Sequence, residues 1–293
     1  MNASSHDAKL ISVIIPARNA ATLLGEQLAA LTKQTYADPF EVLVVDNGST
    51  DSTAEVVGRY GALLPGLRYI YADEKRGRAF ACNVGARKAC GDRLIFIDAD
   101  DVAAPGWLAA MAQALECHPV VAGGIDVEQL NCGTIWRPKP FTSATAPALG
   151  FLPYMIGANM AMWREAFEAV GGFAEELLTG SDIDISWRLQ LAGYTIKDAP
   201  DAVMYYRYRQ GLGPFWKQIV QYGECHVLLY VRYRDKGMPR SSLKDFLRRV
   251  RWLLRHAPAL VRGDHVRRSR WLYTAAGRWG RIRGCLRYRT LYL

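Results

Sequence analysis

What the chain lacks narrows it first. None of its apolar stretches approaches the ~18 residues a membrane-crossing helix needs, and the opening MNASSHDAKL has no apolar core of the kind a secretory signal carries. Six cysteines (82, 90, 117, 132, 225 and 285) are scattered, with no C-x-x-C pair and no zinc spacing. That usage fits buried thiols in a reducing compartment, not a disulfide framework. The expectation is a cytoplasmic protein. There is no internal repeat or low-complexity tract, and 22% charged against 50% hydrophobic residues excludes wholesale disorder. The last scarcity is local. Residues 205–293 hold four acids against 21 Lys and Arg, a balance of +17, while residues 1–204 hold 24 acids against 16, a balance of −8. An acidic front and a basic tail point to separate jobs.

What is there is an alternation of short apolar runs and helix-length segments. Residues 11–15, 40–46, 67–72 and 93–98 read as strands; 22–34, 52–59, 80–89 and 105–116 read as helices. Ser52 and Glu55, three apart, have the spacing of a capping box, and Pro105 fits a first helical turn. Continuous apolar strands between helices predict an α/β fold with a mostly parallel sheet covered on both faces. Ligands of such sheets bind at the C-terminal strand edge. Pro16-Ala17-Arg18-Asn19, Asp46-Asn47-Gly48-Ser49 and Asp98-Ala99-Asp100 all follow strand ends, so they should converge there. Further on, 120–127 and 159–163 read as strands, followed by a helix ending at Gly171-Gly172. Residues 182–192 form a helix stopped by Gly193, residues 195–197 and 203–206 two short strands, and everything from 214 onward is helical and basic.

Several clusters carry chemistry. LIFIDADD (94–101) sets three carboxylates where an apolar run ends. On an extended segment Asp98 and Asp100 face alike while Asp101 points away. Repulsion this close calls for a cation, and an oxygen-only pair suits Mg2+ or Mn2+ held jointly with phosphates. Helix capping accounts for one of the three acids, not all. Asp46 is placed to accept from a nucleobase N–H or a ribose hydroxyl, whereas Asp51 or Ser52 reads as a helix cap. Lys75-Arg76-Gly77-Arg78 precedes a helix and is either an anion site or a solvated charged turn. Asp182 and Asp184 do not share a helical face, so a shared metal is excluded. One is a candidate general base and the other a cap or a partner of Arg188; the residues alone do not choose. In the tail, Leu243, Phe246, Leu247, Val250, Leu253 and Leu254 recur at helical spacing among Lys244, Arg248, Arg249, Arg251 and Arg255. Such a helix either lies on an anionic membrane surface or packs on the domain.

Together, from Ser12 to about Gly223, these motifs resemble the family 2 glycosyltransferases, inverting enzymes of the GT-A fold that use nucleotide-diphospho-sugars. SVIIPARN is similar to the family's first strand, which implies base contacts from Pro16, Ala17, Arg18 and Asn19. VVDNGSTDST implies that Asp46, with Asn47 beside it, binds uracil or ribose. GRAFACNVG, with Asn83 and Gly85, resembles the helix next to the nucleotide site. DAD at 98–100 resembles the DXD motif, implying that Asp100 binds the metal, that Asp98 supports ribose or metal, and that Ala99 lies between them. GANMAMWREAFEAVGGF, with Gly157 and Asn159, resembles the acceptor-side segment. GSDIDISWRL resembles the Glu-Asp motif, whose second acid, the base, falls on Asp182; Ser181 stands in place of the first.

There are departures. Ala20-Ala21 lack the acid common after the first-strand Asn. Tyr205 and Tyr206 stand where many relatives carry a His, so no third protein ligand is assigned. The Q-x-x-R-W signature of processive synthases is absent, which implies one sugar per encounter. The resemblance therefore implies a flexible 1–9, a GT-A catalytic domain over 10–206 and a basic helical region over 207–293. Within the domain, 10–116 would bind nucleotide and 117–206 would face the acceptor. The implied enzyme uses Mn2+ or Mg2+ and moves a sugar from a nucleotide-diphospho-sugar, UDP-sugar favoured, to a hydroxyl acceptor. Arg76 or Arg78 would sit near the leaving diphosphate. A lipid-linked acceptor and peripheral contact with the cytosolic membrane face are linked expectations. A sugar nucleotidyltransferase would open with a Gly-rich basic loop, which PARNAATL is not. A tail gripping nucleic acid is disfavoured by the acidic front.

Overall fold

The computed structural model describes residues 10–132 and 147–293. They divide into two units, one of residues 10–126 and Pro153–Tyr206, the other of 127–132, 147–152 and Arg207–Leu293.

The first unit is built on β1 (Ile11–Ala17), β2 (Phe40–Asp46), β3 (Leu67–Tyr71), β4 (Arg93–Ile97), β5 (Val102–Ala103), β6 (Val120–Asp126), β7 (Asn159–Trp163) and β8 (Lys197–Tyr205). They form one sheet in the order β3-β2-β1-β4-β7-β6-β8-β5. β1 pairs in parallel with both β2 and β4, and β3 extends the parallel half. β7 runs antiparallel between β4 and β6. The apolar runs are continuous because both faces are buried. Val13, Ile15, Val42, Val44 and Ile95 enter one core; Ile14, Leu43, Val45, Leu94 and Phe96 enter the other. Helices α1 (Leu24–Leu31), α2 (Thr53–Gly58), α3 (Arg78–Lys88), α4 (Trp107–Cys117), α5 (Arg164–Ala169) and α6 (Ser181–Leu191) complete the unit. The two-face alternation thus brings the C-terminal ends of β1, β2 and β4 to a common edge, as the sequence predicts.

Three expectations change. The two short strands at 195–197 and 203–206 are one strand, β8. Its register against β6 slips between Gly123 and Gly124, which pair with Ala199 and Val203. Pro200 lies in the slip, where a residue without an N–H interrupts the ladder. β5, two residues long, is an addition; it pairs with β8 immediately after the acid run. The Ser52 capping box does not form, since the Ser52 side chain makes no cap bond. Asp51 accepts instead, from the Thr53 N–H at 3.1 Å and the Thr53 hydroxyl at 2.5 Å.

The second unit is helical: α7 (Leu212–Tyr233), α8 (Leu243–His256), α9 (Ala259–Arg262) and α10 (His265–Arg287). α7 and α10 cross at glycines. A Cβ on Gly223 would lie 2.5 Å from the Gly277 carbonyl oxygen and 2.8 Å from Gly280 Cα, so a side chain there would force the helices apart. α8 buries no residue, and its Leu243, Leu247 and Leu254 are 62%, 53% and 72% exposed. Among the described residues, no helix is long and apolar enough to cross a membrane.

Candidate active site

The loops after β1 and β2 are tied to each other. Asn19, in the left-handed region at φ 50, donates its N–H to the Ser49 hydroxyl and accepts from the Thr50 N–H, both at 2.8 Å. Asn tolerates that region better than most side chains. Arg18 is exposed beside it, while Pro16 is half-buried and Ala17 buried inside the strand. Asp46 is buried at the end of β2. It accepts from the Ser49 N–H at 2.8 Å and from the Tyr69 hydroxyl at 2.7 Å. Burial, then Asp46 itself, holds the Tyr69 phenol well above its ordinary pKa, so it stays a donor. Asp46 is therefore already fixed by two donors on its own scaffold.

At the end of β4, Asp98, Asp100 and Asp101 each place a carboxylate oxygen within 4.8 Å of the others. Asp101 joins the cluster instead of turning away. Alternation holds only while the chain is extended, and here it turns at 99–101. Ala99, between the two outer acids, is buried. The cluster has a brace that the sequence reading missed. Gln27, fully buried on α1, donates to the Asp98 carbonyl at 3.3 Å and accepts from the Ala103 N–H at 2.9 Å. Its signal was present: a polar residue inside the buried stripe Leu24, Leu28, Leu31. An all-oxygen set this close fits a hard divalent cation such as Mg2+ or Mn2+.

Arg78, at the start of α3, joins this cluster to the next acid. Its Nε donates to Asp98 Oδ1 at 2.7 Å, and Nη2 donates to the Gly157 carbonyl. The Gly157 N–H donates to Asp182 Oδ2 at 3.1 Å, and the Ile183 N–H to Oδ1 at 2.9 Å. A Cβ on Gly157 would lie 3.2 Å from the guanidinium carbon, so any side chain there would press on Arg78. Burial pushes the Asp182 carboxyl above its ordinary value; Arg78 and the two N–H groups pull it back in part, and Asp98 adds to the rise. For Arg78 itself, burial works downward, but the negative charges around it, Asp98 foremost, carry the guanidinium above its usual value. Asp184 is settled differently. It is fully buried and ion-paired with Arg188 Nε at 2.8 Å, and Arg188 also donates to the carbonyls of Val170 and Gly172. Of the two candidate bases, Asp182 faces Arg78 and Asp184 is consumed by packing. Ser181 is buried beside it.

Three asparagines have their amides spent on the scaffold. Asn47 donates to the carbonyls of Ala72 at 2.6 Å and Lys75 at 2.8 Å, and accepts from the Gly77 N–H at 2.8 Å. It thereby shapes the loop that presents exposed Arg76 and half-buried Arg78. Asn83 accepts from the Phe173 N–H at 2.9 Å and donates to its carbonyl at 2.9 Å and to Glu175 at 3.0 Å. Asn159, expected on the acceptor side, is the third. It is fully buried, accepts from Trp107 Nε1 at 2.9 Å, and donates to the carbonyls of Gly124 at 2.8 Å and Ala202 at 2.7 Å.

A family model described as Glycosyl transferase family 2 matches residues 12–171. Glycosyltransferase AglE of Haloferax volcanii is 28% identical over 249 residues, which covers 83% of this chain and 80% of that protein. The pre-mycofactocin glycosyltransferase of Mycobacterium tuberculosis is 27% identical over 244 residues, 78% of this chain; the match spans 49% of that relative's own length. Among solved structures, the mannosyltransferase PcManGT from Pyrobaculum calidifontis, in complex with GDP-Man and Mn2+, has a TM-score of 0.68 at 22% identity over 93% of this chain and 86% of that one. TarS 1–349 of S. aureus, in complex with UDP-GlcNAc, has a TM-score of 0.59 at 22% identity, over 74% of this chain and 66% of that one. These two likenesses are of fold.

Proposed function

The chain belongs to glycosyl transferase family 2, and we propose that it moves one sugar from a nucleotide-diphospho-sugar to an acceptor hydroxyl with inversion at the anomeric carbon. The observation that carries this reading is the line Asp98–Arg78–Gly157–Asp182, which sets one raised carboxyl across a guanidinium from an acid cluster. Asp182 takes the proton of the acceptor hydroxyl as its oxygen bonds to the anomeric carbon. The bond from that carbon to the diphosphate breaks on the opposite face, and the nucleoside diphosphate leaves with the electron pair. The two N–H groups on Asp182 hold its oxygens in place. Arg78 keeps the carboxyl ionisable despite burial. Asp98, Asp100 and Asp101 would hold the divalent cation, which when bound offsets charge on the departing diphosphate. Exposed Arg76 is a further cation for the same phosphates.

Asp46, Arg18 and the strand-end backbone of Pro16, Ala17 and Asn19 form the base and ribose side, and Asp46 as acceptor favours UDP. Asn47, Asn83 and Asn159 act by holding loops, while Gly157 and Ser181 border the acceptor. The catalytic domain is then 10–206, although 127–132 and 147–152 group with the helical unit. The basic helical region would bring the enzyme to the cytosolic membrane face and a lipid-linked acceptor.

The test is a thermal-shift panel with UDP, GDP, TDP and CMP, each with Mn2+, Mg2+ or EDTA. A ligand at a hundred times its Kd stabilises the fold by about 2.7 kcal/mol. A shift with one diphosphate, dependent on metal and lost in Asp100→Asn, is expected. Absence of any shift would overturn the donor site.

A further inference from the structure

The helical unit holds a cavity of about 910 Å3 walled by α7, α8 and α10, within the size range of small-ligand sites. Its lining mixes two chemistries. Ile219, Val266, Tyr222, Trp252 and Tyr273 are apolar or aromatic. Arg248, Arg249, Arg270, Arg278 and Arg281 bring five guanidinium groups to it, against one lining carboxylate, Glu128, among the described residues. Among the described residues, Arg248 is the one of the five that reaches a carboxylate side chain, Asp245 at 2.6 Å. Arg270 lies 5.3 Å from the Trp252 ring centre. Arg281 donates to the Leu293 backbone oxygen at 3.2 Å and approaches His226 Nδ1 at 3.4 Å.

Such crowding of like charge works against itself. Burial, then the charges of Arg281 and Arg249, pushes the Arg278 guanidinium down to about 10. Burial likewise lowers Arg281, with Arg249 adding to the effect. His226 is pushed down to about 3 by burial and by Arg281 and Arg278, so its imidazole is neutral at pH 7. An anion in the cavity would relieve the like-charge part of these shifts. Guanidinium forks match phosphate oxygens in pairs, and the adjacent apolar wall is of no use to a bare ion.

We propose that this cavity binds a phosphate or diphosphate group carried on an apolar chain, the arginines of α8 and α10 holding the phosphate and the aromatic wall the start of the chain. This site deepens the lipid-linked acceptor of the proposed function and rests on that reading, while the nucleotide response reports the donor site separately.

The full chain is titrated by calorimetry with farnesyl phosphate below its aggregation concentration, with farnesol and with inorganic phosphate. Saturable farnesyl phosphate binding is expected, at least tenfold tighter than either control. Arg278→Gln combined with Arg281→Gln should weaken it at least tenfold and leave the nucleotide-dependent thermal shift unchanged. Because the pair of changes removes buried like charge, Tm should hold or rise. If that protein fails to fold, Arg249→Gln on exposed α8 carries the same test. Trp252→Ala should weaken farnesyl phosphate and spare inorganic phosphate. Three results would overturn the proposal: farnesol binding as tightly as its phosphate, inorganic phosphate binding as tightly as farnesyl phosphate, or arginine variants that bind farnesyl phosphate like the parent. Nucleotide binding in the same samples reports the other site separately.

Discussion

As the proposed base, Asp182 would have to be ionised to accept a proton, yet its surroundings favour the neutral form. Burial raises its carboxyl and Asp98 raises it further, against the opposing pull of Arg78 and two backbone N–H groups. Two consequences follow in opposite directions. Activity should fall as pH drops through this raised pKa, so the acid limb of kcat should lie above the ordinary Asp value of about 3.9. An acid limb at or below that value would count against Asp182 as the base. Stability runs the other way. A carboxyl with a raised folded-state pKa binds more protons folded than unfolded, so its contribution is full below the unfolded pKa and is lost as pH rises through the folded one. Asp182→Asn removes that loss. Its Tm relative to the parent should therefore climb as pH rises out of the acid range toward 7, while transfer falls about 10²–10⁴-fold and nucleotide binding survives. Equal loss of binding and turnover would reassign Asp182 to the donor side.

At the scale of elements, α1 does more than cover the sheet. Gln27 occupies a position where its neighbours Leu24, Leu28 and Leu31 are all buried apolar residues. From there it fixes both ends of the turn between β4 and β5 through the Asp98 carbonyl and the Ala103 N–H. Gln27→Leu keeps the volume and strands that N–H in the core, a loss of about 1–3 kcal/mol. A lower Tm is expected together with a weaker Mn2+-dependent nucleotide shift, because the acid turn loses its brace. A variant with reduced Tm but unchanged metal response would make Gln27 a packing residue only.

The same turn marks where the sequence stopped being legible. Strands β1, β2 and β4 were readable because burial on both faces makes each a nearly continuous apolar run, as in Ile11–Ala17 and Arg93–Ile97. β5 has two residues, too few to show a period, and β8 hid its continuity behind Pro200. Asp101 was misplaced because period-two reasoning was carried past the last extended residue. The bonds of the asparagines were hidden for another reason. Asn83 fits a motif, but its amide partners Phe173 and Glu175 lie 90 and 92 residues away, and no local pattern announces that pairing. Spacing left both Asp182 and Asp184 open as a base; the ion pair of Asp184 with Arg188 supports the proposal of Asp182.

For the whole molecule the charge division is the dominant feature. The front half is acidic and the last 89 residues carry +17, so the two parts respond oppositely to an anionic surface. α8 buries none of its residues fully, and Leu243, Leu247 and Leu254 are exposed with arginines around them. Area and charge should act together on a membrane, each basic group near the surface adding about 1 kcal/mol at low salt. Charge alone would make binding vanish with salt over a Debye length of roughly 8 Å at physiological strength. Apolar insertion would leave a residue of binding that salt does not remove. Flotation of the full chain with vesicles containing anionic phospholipid separates these contributions. The parent should float strongly at low salt and partly at high salt, and uncharged vesicles should carry little of it. Leu247→Ser with Leu254→Ser should lose the salt-resistant fraction, since neither leucine packs in the fold and Tm should stay within the parent's range. Flotation unchanged by those substitutions would mean that α8 does not insert, leaving the arginines of the tail to act as a purely electrostatic tether.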